Sequence, residues 1–104
     1  MDCIDKGKEV ILTLKGQLDY LSAEQIDYFL SSFITRFKDA NCLSIDLAHL
    51  SFIDSAGANG LCKLIVSAAE LGLKKELITD KGTVYEILEI LGFVKFINHM
   101  NEIN

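Results

Sequence analysis

The residues best placed to do chemistry lie in the run Phe52-Ile53-Asp54-Ser55-Ala56-Gly57, where an apolar pair hands over to a carboxylate and a hydroxyl at the start of a helix-spaced segment. Ser55 stands where a helix N-cap is expected, and as a cap its side-chain oxygen would accept from a free first-turn amide. The same geometry serves an anion, because unpaired amides and the positive end of the helix dipole receive negative charge, that of a phosphoserine included. Gly57 and Gly60 keep the first turn low in bulk, so another backbone or a nucleotide's terminal phosphate can approach the hydroxyl. Spacing alone favours capping over modification. Asp54 reads as a carboxylate capping loop amides, and Asp19, in a glycine-containing turn, reads as an Asx-turn residue brought to the same end of the sheet.

The rest of the chain offers little else for catalysis. His49 and His99 are isolated, with no Ser/His/Asp order and no HExxH beside them, and adjacent residues such as Asp54 and Ser55 need not point together. Cys3, Cys42 and Cys62 are odd in number and lack CxxC or Cys/His spacing, so neither a disulfide framework nor a zinc site is expected. There is no GxxxxGK loop to cradle phosphates. No enzyme activity, metal or cofactor is expected of the chain.

The elements that must position Asp54 and Ser55 follow from periodicity. Glu9 to Leu14, EVILTL, is a β-branched, apolar strand running into the turn at Lys15-Gly16, and Cys3-Ile4 can precede it as a hairpin arm with Lys6-Gly7-Lys8 at the bend. Ser22 and Gln25 have capping-box spacing ahead of Ile26, Phe29, Leu30, Phe33, Ile34 and Phe37, which predicts an amphipathic helix ending near Lys38. The three phenylalanines are core residues, not a cofactor box. Cys42 to Leu47 alternates as a strand, and the segment AHLSFIDSAG reads as a loop.

A second helix begins about Ser55, with Leu61, Leu64, Ile65, Ala68 and Ala69 on one face and Gly72 at the left-handed cap position. Lys74-Lys75 reads as a solvated corner before a buried strand over Glu76 to Thr79. Val84, Ile87, Leu88 and Leu91 mark a third helix closed by Gly92, Phe93 to Ile97 is a short apolar segment, and the residues from His99 onward are polar enough to fray. Tyr20, Tyr28 and Tyr85 sit at element edges. Strands alternating with helices predict one α/β domain over residues 1–104, a mixed sheet of about four to five strands with helices packed on it.

Composition narrows the partners. Fifteen acidic against ten basic residues give a net charge of −5 with no basic stripe, which argues against nucleic acid. With 50% of residues apolar but no apolar run near the roughly 20 residues that span a bilayer, and no leader pattern at the N-terminus, a soluble cytoplasmic protein with no membrane insertion is expected. Oligomeric state is left open.

Asp54-Ser55-Ala56-Gly57, preceded by Leu50-Ser51-Phe52-Ile53, resembles the signature of the STAS family, whose bacterial anti-anti-sigma factors carry Asp-Ser-(Ser/Thr/Ala)-Gly. Leu14-Lys15-Gly16-Gln17-Leu18-Asp19 is similar to that family's Gly-Glu-(Leu/Ile)-Asp turn. Ile45-Asp46-Leu47 is similar to its strand before the motif, and Val84 to Phe93 to its last helix. The likeness spans nearly the whole chain. It implies an anti-sigma factor antagonist that binds an anti-sigma factor, itself an ATPase-type serine kinase, while Ser55 is unphosphorylated, and lets go on phosphorylation. A separate, PP2C-like phosphatase would restore the serine. The resemblance places Asp19, Asp54, Ser55, Ala56, Gly57 and Ala58 at the partner-binding surface, with Asp54 orienting the Ser55 hydroxyl. Many family members carry Leu-Gly after the motif where this chain has Ala58-Asn59-Gly60, and Gln17 replaces the usual Glu. The alternative implied by the same resemblance is a STAS subunit of a lipid-transporting ABC complex that grips the ATPase subunit.

Overall fold

Val10 and Leu12 alternate with Glu9 and Ile11, and Leu43 and Ile45 alternate with Cys42 and Ser44, so each strand turns one apolar row toward the core. The computed structural model describes residues 1–79 and Gly92. Within them β1 (Asp2–Asp5), β2 (Glu9–Thr13), β3 (Gly16–Leu18), β4 (Cys42–Asp46), β5 (Leu50–Ile53) and β6 (Lys74–Ile78) combine with α1 (Tyr20–Arg36) and α2 (Ser55–Glu70). Four strands form a mixed sheet in the order β1-β2-β4-β6, with β1 antiparallel to β2 and the others parallel. The expected α/β class and the hairpin arm are both present. The parallel register sets Val10 beside Leu43 and Leu12 beside Ile45, all four with no exposed surface.

Helix α1 buries Ile26, Phe29 and Phe33, and its C-cap Phe37 closes the row. Phe29 and Phe33 meet edge to face with centroids 5.5 Å apart, and Phe33 and Phe37 lie 5.1 Å apart, a geometry aromatic quadrupoles favour. Helix α2 buries Leu61, Leu64, Ile65 and Ala68. It ends where Gly72 adopts φ 74°, with Gly72 donating to the Ala69 carbonyl and Leu73 to that of Ala68, both at 3.0 Å. This is the paired-bond cap that glycine permits, and buried Leu73 packs under it.

Three expectations change. The supposed loop over AHLSFIDSAG contains β5, which pairs in parallel with β3 as a separate two-stranded sheet. Those strands have three and four residues, too short for periodicity to reveal. The helix α1 starts at Tyr20, ahead of the Ser22 capping box, because Asp19 supplies the cap. Lys75 is no solvated corner: β6 begins at Lys74, so Lys75 turns inward beside Leu43 and has no exposed surface. The third helix, the Phe93–Ile97 segment and the polar end lie outside the described residues, apart from Gly92, which has φ 79° in a turn.

Burial lowers the pKa of Lys75 below the ordinary 10.5, since the charged form loses hydration. The folded state therefore holds this proton less tightly than the unfolded state. Its penalty is complete below the folded-state pKa and is relieved as pH rises from there to 10.5. Urea unfolding of the parent should show stability gained across that window, and the gain should be smaller in Lys75→Met; parallel profiles for the two proteins would contradict the burial penalty.

Candidate functional site

Two short strands and two helix starts build the region around Ser55. The register sets Leu18 of β3 beside Ile53 of β5, both buried, and each strand is followed at once by an aspartate and then a helix. Asp19 and Asp54 thus stand side by side as the N-caps of α1 and α2. Asp54 donates its backbone amide to the Leu18 carbonyl at 3.2 Å, which ties the second cap to the end of the first strand.

The caps use their carboxylates as acceptors. Asp19 Oδ1 accepts from the amides of Leu21 at 3.1 Å and Ser22 at 3.2 Å. The Ser22 hydroxyl donates to the Gln17 carbonyl at 2.8 Å, locking the turn from β3 into α1. Asp54 Oδ1 accepts from the Gly57 amide at 2.8 Å, and the Asp54 carbonyl takes the amide of Ala58, also at 2.8 Å. An ionised carboxylate at a helix start is favoured by the dipole as well as by these bonds. On the other strand the Ser51 hydroxyl donates to the Gly16 carbonyl at 3.1 Å, holding β5 against β3.

Ser55 is consequently not the cap. It is the first helical residue, exposed, and its hydroxyl has no hydrogen-bond partner among the described residues. Capping by Asp54 satisfies the amide of Gly57 and leaves those of Ser55 and Ala56 without a partner among the described residues. The expectation that Ser55 caps α2 fails for a physical reason: Asp54 is the residue in extended backbone, at φ −109° and ψ −177°, and its side chain reaches back over the first turn.

Gly57 is required by contact. A Cβ there would sit 1.9 Å from the Leu18 carbonyl oxygen, inside any allowed separation. Gly60 faces α1, where a Cβ would come to 3.0 Å from that of Ala23, so α1 and α2 cross through small residues. The structure therefore brings Asp19, Asp54, Ser55, Ala56, Gly57 and Ala58 to one end of the small sheet. It separates them by exposure: Ser55 is open, Asp19, Asp54, Ala56 and Ala58 are half-buried, and Gly57 is buried. Sequence reasoning missed the apolar rim near this end. Phe52, opposite Gln17 in the small sheet, is 49% exposed, and Tyr20 and Leu21 in the first turn of α1 are 64% and 65% exposed. No alternation signalled it, since the four residues of β5 run buried, exposed, exposed, buried from Leu50 to Ile53.

The model of the STAS domain family matches residues 3–103. The chain belongs to the STAS domain family. Among solved structures, the STAS domain of a SulP transporter from Vibrio cholerae superposes with a TM-score of 0.72 at 21% identity, covering 94% of this chain and 73% of that one. The anti-sigma factor antagonist SpoIIAA in its unphosphorylated form gives 0.61 at 18% identity, covering 86% and 96%. Mglu in its native form gives 0.63 at 19% identity over 76% of this chain, which spans only 23% of that longer one. At such identities these likenesses establish the shared STAS fold. No curated protein sequence matches the chain significantly. No helix among the described residues is long and apolar enough to cross a membrane.

The packing at the small sheet has a measurable consequence. Gly57→Ala should lower stability by about 3 kcal/mol, since the added methyl displaces backbone. Gly72→Ala, strained in φ but in open space, should lose about 1 kcal/mol. Asp54→Ala should also lose about 1 kcal/mol as a lost cap. Urea denaturation of the three variants checks the order, and a Gly57→Ala protein as stable as Gly72→Ala would refute the close approach to Leu18.

Proposed function

We propose that this STAS domain is an anti-sigma factor antagonist that works by partner switching, its binding state set by phosphorylation of Ser55. The observation that carries the reading is the division of labour at the start of α2. Asp54 does the capping, so the Ser55 hydroxyl is exposed and without a partner among the described residues, and a kinase can take it without breaking the bond that caps the helix. The likeness to SpoIIAA supports the same reading at the level of fold.

The electrostatics suit a reversible switch. A phosphate adds about −1.5 to −2 charges at one point, three bulky oxygens included. At this position it lies beside the amides of Ser55 and Ala56, which have no partner among the described residues, and the positive end of α2, so the domain can carry the modification without refolding. A partner seated on the unmodified surface meets new bulk and a group that must be desolvated. A loss of about 1.4 kcal/mol weakens binding tenfold, enough for one modification to redirect the partner. The bound partner of this reading is a serine kinase of the ATPase type that also holds a sigma factor, and a PP2C-like phosphatase resets Ser55. Asp19, Asp54, Ala56 and Ala58 border the contact, and the domain acts by binding, in the cytoplasm, without catalysing a reaction.

The test begins with protein isolated from its native cells under growth and stress, analysed by intact mass, peptide mapping and identification of co-purified proteins. Phosphate on Ser55 and a kinase-type anti-sigma partner are expected; an unmodified Ser55 in complex with an ABC ATPase would replace this reading with the transporter-subunit one. With the partner in hand, Ser55→Asp should fold as the parent does but bind at least about tenfold more weakly. Ser55→Ala should retain most of the affinity while refusing modification, and equal affinity for all three proteins would rule out the switch.

A further inference from the structure

The parallel strands β2, β4 and β6 bring a second chemical cluster together, at their N-terminal ends and away from Ser55. Glu9 stands opposite Cys42 in the register of β2 with β4, and Glu76 stands opposite Ser44 in that of β4 with β6. All are on the face of the sheet that Val10, Leu43 and Lys75 turn away from, because neighbours along a strand point to opposite sides. A carboxylate oxygen of Glu9, the sulfur of Cys42 and a carboxylate oxygen of Glu76 lie within 4.8 Å of one another. Glu9 and Cys42 are half-buried, while Glu76 is open to solvent on one side.

Ser44 has no exposed surface, and its hydroxyl donates to Glu9 Oε2 at 2.6 Å while also neighbouring the Cys42 thiol. That bond ties β4 to β2 beside the cluster. The nearby ammonium of Lys74 is 3.6 Å from Glu76 Oε1 and largely exposed. Two carboxylates and a thiol from three strands thus come within 4.8 Å of one another, and the buried serine holds one of the carboxylates. This mixed oxygen and sulfur set differs from a surface patch of acids, since thiolate selects soft or borderline metals over magnesium or calcium.

We propose that Glu9, Cys42 and Glu76 form a binding site for a divalent transition metal of the zinc class. Cys42 supplies a thiolate, its proton passing to solvent, each glutamate supplies one oxygen, and water completes a four-coordinate shell. Bonds of about 2.3 Å to sulfur and about 2.0–2.2 Å to oxygen place tetrahedral donors roughly 3.3–3.8 Å apart. Closing from the present spacing needs movement of about 1 Å, which the exposed Glu76 side chain can supply by rotation. Ser44 is the positioning residue, holding the Glu9 carboxylate as outer partners of metal ligands do. Sequence spacing gave no sign of such a site, because its members are 33 and 34 residues apart and meet only through strand register.

The test uses the whole chain, stripped of metal and reduced, titrated with cobalt(II) and then with zinc(II) against a chromophoric chelator. One equivalent of cobalt should bind with a thiolate-to-metal charge-transfer band and the visible bands of four-coordination, and zinc should displace it. Cys42→Ser should abolish the charge-transfer band, whereas Cys3→Ser and Cys62→Ser should keep it. Glu9→Gln and Glu76→Gln should each weaken zinc by about tenfold or more, and Ser44→Ala by about tenfold, with circular dichroism unchanged. Absence of the band in the parent at saturating cobalt, or its survival in Cys42→Ser, would overturn the proposal. None of these results bears on Ser55, so the site and the switch stand or fall separately.

Discussion

The carbonyl oxygen of Leu18 is the point on which the region around Ser55 is built. It accepts the Asp54 amide at 3.2 Å, and a Cβ on Gly57 would come within 1.9 Å of it. One atom at the end of β3 therefore dictates where β5 stops, where α2 begins and which residue can occupy its third position. Because the two strands are parallel and in register at Leu18 and Ile53, their two caps are adjacent and their helices start from the same edge. The helices then converge through Ala23 and Gly60, where only small side chains allow the crossing. The exposed position of Ser55 is the outcome of this sequence of contacts and requires no special backbone geometry at the serine itself.

Much of the architecture was legible in the sequence because it rests on periodic burial. The rows Val10/Leu12, Leu43/Ile45, Ile26/Phe29/Phe33 and Leu61/Leu64/Ile65 each repeat with the period of their element, and each is buried. Gly72 was readable for a different reason, as left-handed backbone strongly favours glycine. What escaped notice was shorter than a period or decided between neighbours. The strands β3 and β5 are held by one another and by the Ser51 hydroxyl, which no local pattern encodes. Lys75 looked solvated because it follows Lys74 ahead of the expected strand, and a start of β6 two residues earlier takes it into the sheet, where its side chain faces the interior.

The site was legible as a location and misread as a mechanism of capping. Asp54 and Ser55 are both good caps, so composition could not choose between them. The strand pairing chooses: with Asp54 bonded to Leu18, its backbone is extended and its carboxylate faces the first turn, while Ser55 enters the helix. The same competition occurs one strand away, where Asp19 takes the cap and Ser22 turns its hydroxyl to the Gln17 carbonyl. In both places the carboxylate nearest the strand end wins, as an acceptor-only, charged group should at the positive end of a helix.

Separating the cap from the hydroxyl has a thermodynamic consequence. Had Ser55 been the cap, esterifying its oxygen would have altered the bond that starts α2, and modification would have been coupled to local unfolding at about 1 kcal/mol. With Asp54 in that role, the charge added in the proposed switch would fall at a helix start that tolerates anions, and its effect on stability would be decoupled from its effect on a partner. A surface that changes its affinity without changing its fold can be cycled repeatedly, because neither form presents unfolded segments. The rings of Phe52 and Tyr20 are exposed near the same end of the small sheet. In the proposed switch they would offer apolar area to bury, and a phosphate on Ser55 would keep a partner from closing over that area and excluding water from it.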